Sequence, residues 1–271
     1  MSFLQNVLNF LDTQMETPTL YGWFHWASLA VILILSVYLG AFRKGDSPVQ
    51  IRRTVLLTAV VVAVLEVYKQ INYSFSYTDG IAYDYQWYAF PFQFCSTPMY
   101  VGLLAGLTKK GRIHDAACAY LATYAIFAGA CVMFYPTTVF VGTVGINIQT
   151  VVCHGSMIWI GVYLLATGYV KVQHKTILKA IPVFAICVAI AAIGNEVAYR
   201  VGLLETESFN MFFISPYCEP HLPVYSLVQG VVKFPWCLMI YIIGFSLAAY
   251  LMLLAAVGIK KLTTRKTKIA A

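Results

Sequence analysis

With 271 residues, 60% of them hydrophobic and only 11% charged, and a mean hydropathy of +0.74, the chain lies outside the balance of a soluble globular domain and belongs in lipid. A net charge of +7 would suggest nucleic acid in a soluble protein. Here the basic residues sit in short clusters between apolar runs, where membrane orientation explains them, so no nucleic-acid partner is expected. The seven cysteines form no CxxC pair and no zinc spacing, so no metal and no cofactor is expected. Most read as small buried hydrophobes; Cys218 falls in a loop, where a disulfide has no evident loop partner.

Residues 1–21 lack a basic n-region followed by a sustained apolar core, so no cleavable signal peptide is expected. Phe3, Leu4, Val7, Leu8 and Leu11 recur at helical spacing, and the segment reads as an external interfacial helix or as a disordered tail. A spanning helix needs roughly 20 mostly apolar residues. Seven segments approach or exceed that length: 22–42, 54–76, 91–108, 115–135, 146–169, 176–202 and 229–257. The third is the shortest and starts at Pro91, a residue suited to the first turn of a helix. Residues 258–271 form a basic tail.

Loop charge orients these segments, because Lys and Arg accumulate on the cytoplasmic side. Arg43, Lys44, Arg52 and Arg53 fill the first loop, Lys109, Lys110 and Arg112 the third, Lys171, Lys175 and Lys179 the fifth, and Lys260, Lys261, Arg265, Lys266 and Lys268 the tail. The N-terminal segment and the other loops carry Asp12, Glu16, Asp79, Asp84, Glu205, Glu207 and Glu219 instead. The expected fold is therefore an all-α polytopic membrane protein of seven transmembrane helices, N-terminus outside and C-terminus inside. Trp23, Trp26, Trp87, Tyr88 and Trp236 fall near the inferred outer boundary, as an aromatic belt requires.

Charged groups inside spans cost several kcal/mol unless paired or hydrated, which makes them functional candidates. The second span holds Glu66, Lys69, Gln70 and Asn72; the third Gln93 and Cys95; the fifth Asn147, Gln149 and His154; the sixth Asn195, Glu196 and Arg200. At 1.5 Å per residue, Glu66 falls about 15 Å, Glu196 about 9 Å, Cys95 about 6 Å and His154 about 12 Å below the outer boundary. All converge on the outer half. Glu66 with Lys69, and Glu196 with Arg200, sit at spacings that let each pair meet on one helix face. They read either as pairs that hold packed helices in register or as a polar-headgroup site.

A thiol becomes a useful nucleophile when a nearby base or cation lowers its pKa. Cys95 follows Pro91 near a helix N-terminus, where the helix dipole favours thiolate. His154 is the one histidine expected deep in a span. The two form a candidate nucleophile and base, against the alternative of an inert thiol and a hydrogen-bonded structural histidine.

The stretches Pro91-Phe92-Gln93-Phe94-Cys95-Ser96, Gln149-Thr150-Val151-Val152-Cys153-His154-Gly155 and Gly230 to Trp236, with its Phe234-Pro235-Trp236, resemble the YwaF-like bacterial membrane proteins, which belong with the transmembrane-protein-164 family of animals. The resemblance implies a membrane enzyme of lipid metabolism in a bacterial plasma membrane. The animal member is a cysteine-dependent acyltransferase acting on phospholipids, and relatives of the androgen-induced-gene type are threonine hydrolases of fatty-acid esters. Carried onto this chain, Cys95 would take the acyl group and His154 would be the base. The bacterial pattern has a histidine two residues before the cysteine; here that position is Gln93, whose amide cannot shuttle a proton but can donate to an oxyanion.

The expected activity is thus that of a thiol acyltransferase or lipid-ester hydrolase with an outward polar pocket. Its partners would be membrane lipids and a lipid or acyl substrate; the sequence names no protein partner. Gln93, Asn147 and Gln149 would supply oxyanion donors. Glu66, Lys69, Asn195, Glu196 and Arg200 would bind a headgroup or hold the helices. The alternative is a non-enzymatic receptor, sensor or transport subunit holding a small polar or lipid ligand in the same place.

Overall fold

Ser47, Pro48 and Gln50 start a helix before its apolar run begins. The Ser47 hydroxyl accepts from the Gln50 amide N–H and the Gln50 side chain accepts from the Ser47 N–H, with Pro48 in the first turn, a reciprocal cap that satisfies two otherwise orphaned donors. In the computed structural model, which describes residues 3–77, 80–203, 209–219 and 222–269, this helix, α3, spans Pro48–Asn72, beginning six residues ahead of the expected 54. Asp79, Glu205, Glu207 and His221 lie outside the described residues.

The helices in chain order are α1 (Phe3–Leu11), α2 (Trp23–Val37, extended by a π turn over Tyr38–Phe42), α3, α4 (Thr97–Leu107), α5 (Arg112–Tyr120), a π turn over Leu121–Ala125 leading into α6 (Ile126–Phe134), α7 (Val144–Ala166), α8 (Lys175–Arg200), α9 (Pro223–Gln229) and α10 (Trp236–Ile269). A short antiparallel ribbon joins β1 (Phe75–Ser76) to β2 (Ala82–Tyr83). Among the described residues six helices are long and apolar enough to cross a membrane: Trp23–Phe42, Pro48–Asn72, Arg112–Phe134, Val144–Ala166, Lys175–Arg200 and Trp236–Gly258. The chain is an all-α, multi-pass membrane protein.

The helix expected over 91–108 is shorter. Pro91 forces the preceding residue out of the helical region, and Phe90 has φ −49° and ψ 132°, as the residue before proline prefers. Residues 91–96 turn through Ser96 N–H to Gln93 O (2.9 Å), and Pro98, not Pro91, occupies the first turn of α4. The 11 residues of α4 reach about 16 Å at 1.5 Å each, half of a hydrocarbon core of about 30 Å. The helix expected over 229–257 likewise starts later: Gln229 is the last residue of α9, and α10 begins at Trp236.

Arg52 Nη2, at the start of α3, donates to Gly106 O at the end of α4 (3.3 Å). Gln70 Nε2, at the other end of α3, donates to Ala89 O (2.8 Å). The irregular stretch before α4 therefore carries the chain along α3 where helix is missing. Among the described residues Asp12, Asp84 and Glu219 fall in the loops at one end of the bundle, the acidic-loop end, and Arg43, Lys44, Lys109, Lys110 and Lys171 in those at the other, the basic-loop end. At the acidic-loop end Tyr68 Oη donates to Leu11 O (2.7 Å), and Val144 N–H donates to Thr13 O (2.9 Å), so the segment after α1 is bonded to α3 and to the start of α7. A ladder of rings fills the interior, with Tyr120 on Tyr124 (5.5 Å), Tyr124 on Phe184 (4.5 Å) and Phe184 on Tyr241 (6.1 Å).

At the basic-loop end, Arg43 pairs with Asp46 (2.7 Å) and Tyr163 Oη donates to the same carboxylate. The Arg43 hydrogen bond, and then that of Tyr163, hold the Asp46 carboxyl below its ordinary 3.8. A depressed carboxylate contributes stability above its unfolded pKa and loses it as pH falls through the folded value. Asp46→Asn should therefore lower the detergent-solubilised unfolding midpoint modestly at pH 7, and the gap to wild type should close on acidification below 3.8. A gap unchanged by pH would show that the charge plays no part.

Candidate functional site

Glu66 is the hub of a buried polar cluster. The residue is 5% exposed. Its Oε1 accepts from Lys69 Nζ (2.8 Å) and Gln70 Nε2 (2.8 Å), and its Oε2 from Gln149 Nε2 of α7 (3.1 Å). Gln70 Oε1 in turn accepts from Tyr85 Oη (2.6 Å). α3, α7 and the irregular stretch before α4 are thereby joined by one carboxylate whose two oxygens are both engaged, which is how a charge in low dielectric is made tolerable.

Cys95 precedes the N-cap of α4, Ser96, and is half-buried. Its carbonyl accepts a weak bond from Cys153 Sγ (3.7 Å), and both cysteines line a cavity of about 20 Å³ with Val62, Met99 and Ser156, room for about one water molecule. Lys69 lies within electrostatic reach of the Cys95 thiol and of the His154 ring. His154 is 5% exposed. Its Nδ1 bonds Thr150 O (2.8 Å) one turn back, and its Nε2 has no hydrogen-bond partner among the described residues, Cys95 Sγ included. A Cβ on Gly129 would lie 2.6 Å from the His154 carbonyl; only glycine there lets α6 close on α7 at this level.

Gln93 and Asn195 have a different task. Gln93 Nε2 donates to Asn210 O (3.0 Å) while its Oε1 accepts from Phe212 N–H (2.8 Å). Asn195 holds both Met211 N–H (2.8 Å) and Met211 O (3.0 Å). Tyr241 Oη completes the clamp on Phe212 O (3.1 Å). The clamped loop carries Phe212 and Phe213 at φ 57° and 55°, a left-handed conformation that bulky residues adopt only when surroundings over-determine it. Phe212 is 1% exposed and stacks on Phe94 (5.7 Å), next to Cys95 in sequence. The loop is thus a plug seated on the candidate nucleophile's neighbour.

Asn147 spans Val141 N–H (3.0 Å) and Val141 O (2.7 Å), fixing the loop before α7. Glu196 pairs with Arg200 (2.7 Å) and accepts from Tyr217 Oη (2.6 Å) on an exposed face. The structure therefore joins Glu66, Lys69 and Gln149 in one cluster, makes no hydrogen bond between Cys95 and His154, gives Gln93, Asn195 and Asn147 to backbone clamps, and sets Glu196 with Arg200 apart. Sequence reasoning missed Tyr85, Cys153 as the neighbour of Cys95, and the plug. Cys153 sits in an apolar run, and Phe209 to Ser215 carry no charge, so neither gave a signal.

Six long apolar helices, a half-length seventh and a paired intramembrane carboxylate define a polytopic membrane protein. Residues 20–255 match the TMEM164 family, and the chain belongs to that family. No curated protein and no solved structure matches it.

Proposed function

We propose that the chain is a cysteine-dependent lipid acyltransferase or lipid-ester hydrolase, with Cys95 as nucleophile and His154 as base. The observation that carries this reading is the unpartnered Nε2 of His154. With Nδ1–H donating to Thr150 O, the neutral ring keeps its lone pair on Nε2. A buried acceptor left unused costs about 1–3 kcal/mol, and a waiting general base needs such an atom.

In this scheme Nε2 takes the Cys95 thiol proton and the thiolate adds to the ester carbonyl. The tetrahedral oxyanion is stabilised by Lys69 and the Gln149 amide, and the lysolipid oxygen departs with the proton held on His154. The acyl thioester is then attacked by a second alcohol, or by water, whose proton passes to Nε2 and on to the departing Cys95 thiolate, restoring the thiol and the neutral imidazole. Because the cavity at Cys95 holds about one water, the acyl chain enters only when Phe94 and Phe212 part and let thiol and imidazole meet.

In the same reading the stretch before α4 together with α4 makes the seventh crossing. The acidic-loop end faces outward and the basic loops face the cytoplasm of a bacterial plasma membrane. Cys95→Ala should abolish phospholipid turnover in membranes carrying the protein at wild-type level, and His154→Ala should reduce it by about 10²-fold or more. Turnover retained by Cys95→Ala would overturn the mechanism.

One observation favours the receptor or transport alternative: a cavity of about 620 Å³ at the acidic-loop end, lined among others by Asp12, Asp84, Tyr73, Tyr77 and Tyr88. It suits a small cation held between rings and carboxylates. A binding protein would retain ligand in Cys95→Ala and show no turnover in wild type.

A further inference from the structure

The two faces of α4 differ. Pro98, Met99 and Gly102 turn toward the Cys95 cavity, whereas Thr97, Tyr100, Val101 and Leu104, spaced as one helical face, line a separate apolar groove of about 420 Å³. Its other wall is α8, through Val183, Ile186 and Ile190, and α5 contributes Ile113, Ala116 and Arg112. α4 and α8 both pack on α5, and the groove is the space left between them.

Two features say what fills it. From Pro182 to Ile190 the α8 wall is about 12 Å long at 1.5 Å per residue, close to the roughly 15 Å depth of one leaflet's hydrocarbon, so the groove matches a chain from one leaflet. Its basic-loop end carries Arg112 as a lining residue, with exposed Lys109 and Lys110 preceding it in sequence. None of these three makes an ion pair among the described residues, while Asp115 of the same helix is already paired with Lys179 (3.0 Å). An apolar slot between helices that ends in uncompensated cations complements an acyl chain joined to an anionic headgroup.

We infer that this groove is a binding site for an anionic glycerophospholipid of the leaflet facing the basic loops, with one acyl chain between α4 and α8 and its phosphate on Arg112. The site is separate from the Cys95 cavity and its occupant is a bound partner, not a substrate. It holds α4, which is too short to span alone, against α5 and α8.

The test uses full-length protein extracted from bilayers of phosphatidylglycerol and phosphatidylcholine and weighed intact by native mass spectrometry. Wild type should retain one phosphatidylglycerol in preference to phosphatidylcholine. Arg112→Gln should cut that preference about fivefold, the effect of one interfacial cation. Arg43→Gln, which lies outside the groove lining, should leave it unchanged. Ile186→Trp, filling the slot, should remove the retained lipid of either kind. Arg112 is exposed, so its variant folds and decides the matter even where Ile186→Trp does not. Equal losses in Arg43→Gln and Arg112→Gln would mean general surface charge, and no preference in wild type would mean no site; either result overturns the inference.

Discussion

Glu66→Ala should destabilise the protein by about 3–5 kcal/mol, the cost of leaving one half of a buried ion pair uncompensated. Lys69 would lose its counter-charge, and the Gln70 and Gln149 amides would each lose an acceptor. The loss is read as a lowered midpoint of unfolding in detergent. Removing both charges together, as Glu66→Gln with Lys69→Met, should recover much of it, because the penalty belongs to the survivor and the two sites share one interaction. A Glu66→Ala variant within about 0.5 kcal/mol of wild type, the scatter of ordinary surface changes, would mean that water reaches the cluster.

The second large effect is at the plug. Asn195→Ala removes the partner of the buried Met211 N–H, worth about 1–3 kcal/mol when left unsatisfied, and one of the two donors to Met211 O, which keeps Ile214 N–H (3.3 Å). It also releases a loop whose two left-handed aromatic residues store about 1–3 kcal/mol apiece. Hydrogen exchange over Phe209 to Ser215 should rise sharply, and Cys95 should become faster to alkylate, since Phe212 stacks on Phe94 beside it. Gln93→Ala acts on the same loop, so the double variant should lose less than the sum. Faster exchange in the loop with no change at Cys95 would show that the plug does not guard the thiol.

Most of the helical fold was readable in the chain because apolar run length and the alternation of basic and acidic loops are set by the bilayer itself. α2, α7 and α8 end within a few residues of their apolar runs. The start of α3 was also legible, though in another signal: the Ser47, Pro48 and Gln50 cap, which hydropathy ignores. α4 was misjudged because Pro91 can open a helix as well as break the residue before it, and only the local geometry of Phe90 decides between them. Counting residues down each helix put Glu66, Lys69 and Gln149 in one half of the membrane, though not at one depth. Counting could not say that Glu196 and Arg200 turn to an exposed face, nor that Gln93 and Asn195 spend their amides on a loop. Those assignments depend on where Met211 and Phe212 lie, and a run of uncharged residues between two helices carries no pattern that places it.

In the proposed mechanism Cys95 carries the acyl group with His154 as its base, which the intact mass of purified full-length protein after brief incubation with a phospholipid would reveal. One acyl adduct should form, released by hydroxylamine and mapped to Cys95, absent from Cys95→Ala and much slower to form in His154→Ala. A wild-type mass that never changes, or an adduct that persists in Cys95→Ala, would contradict it.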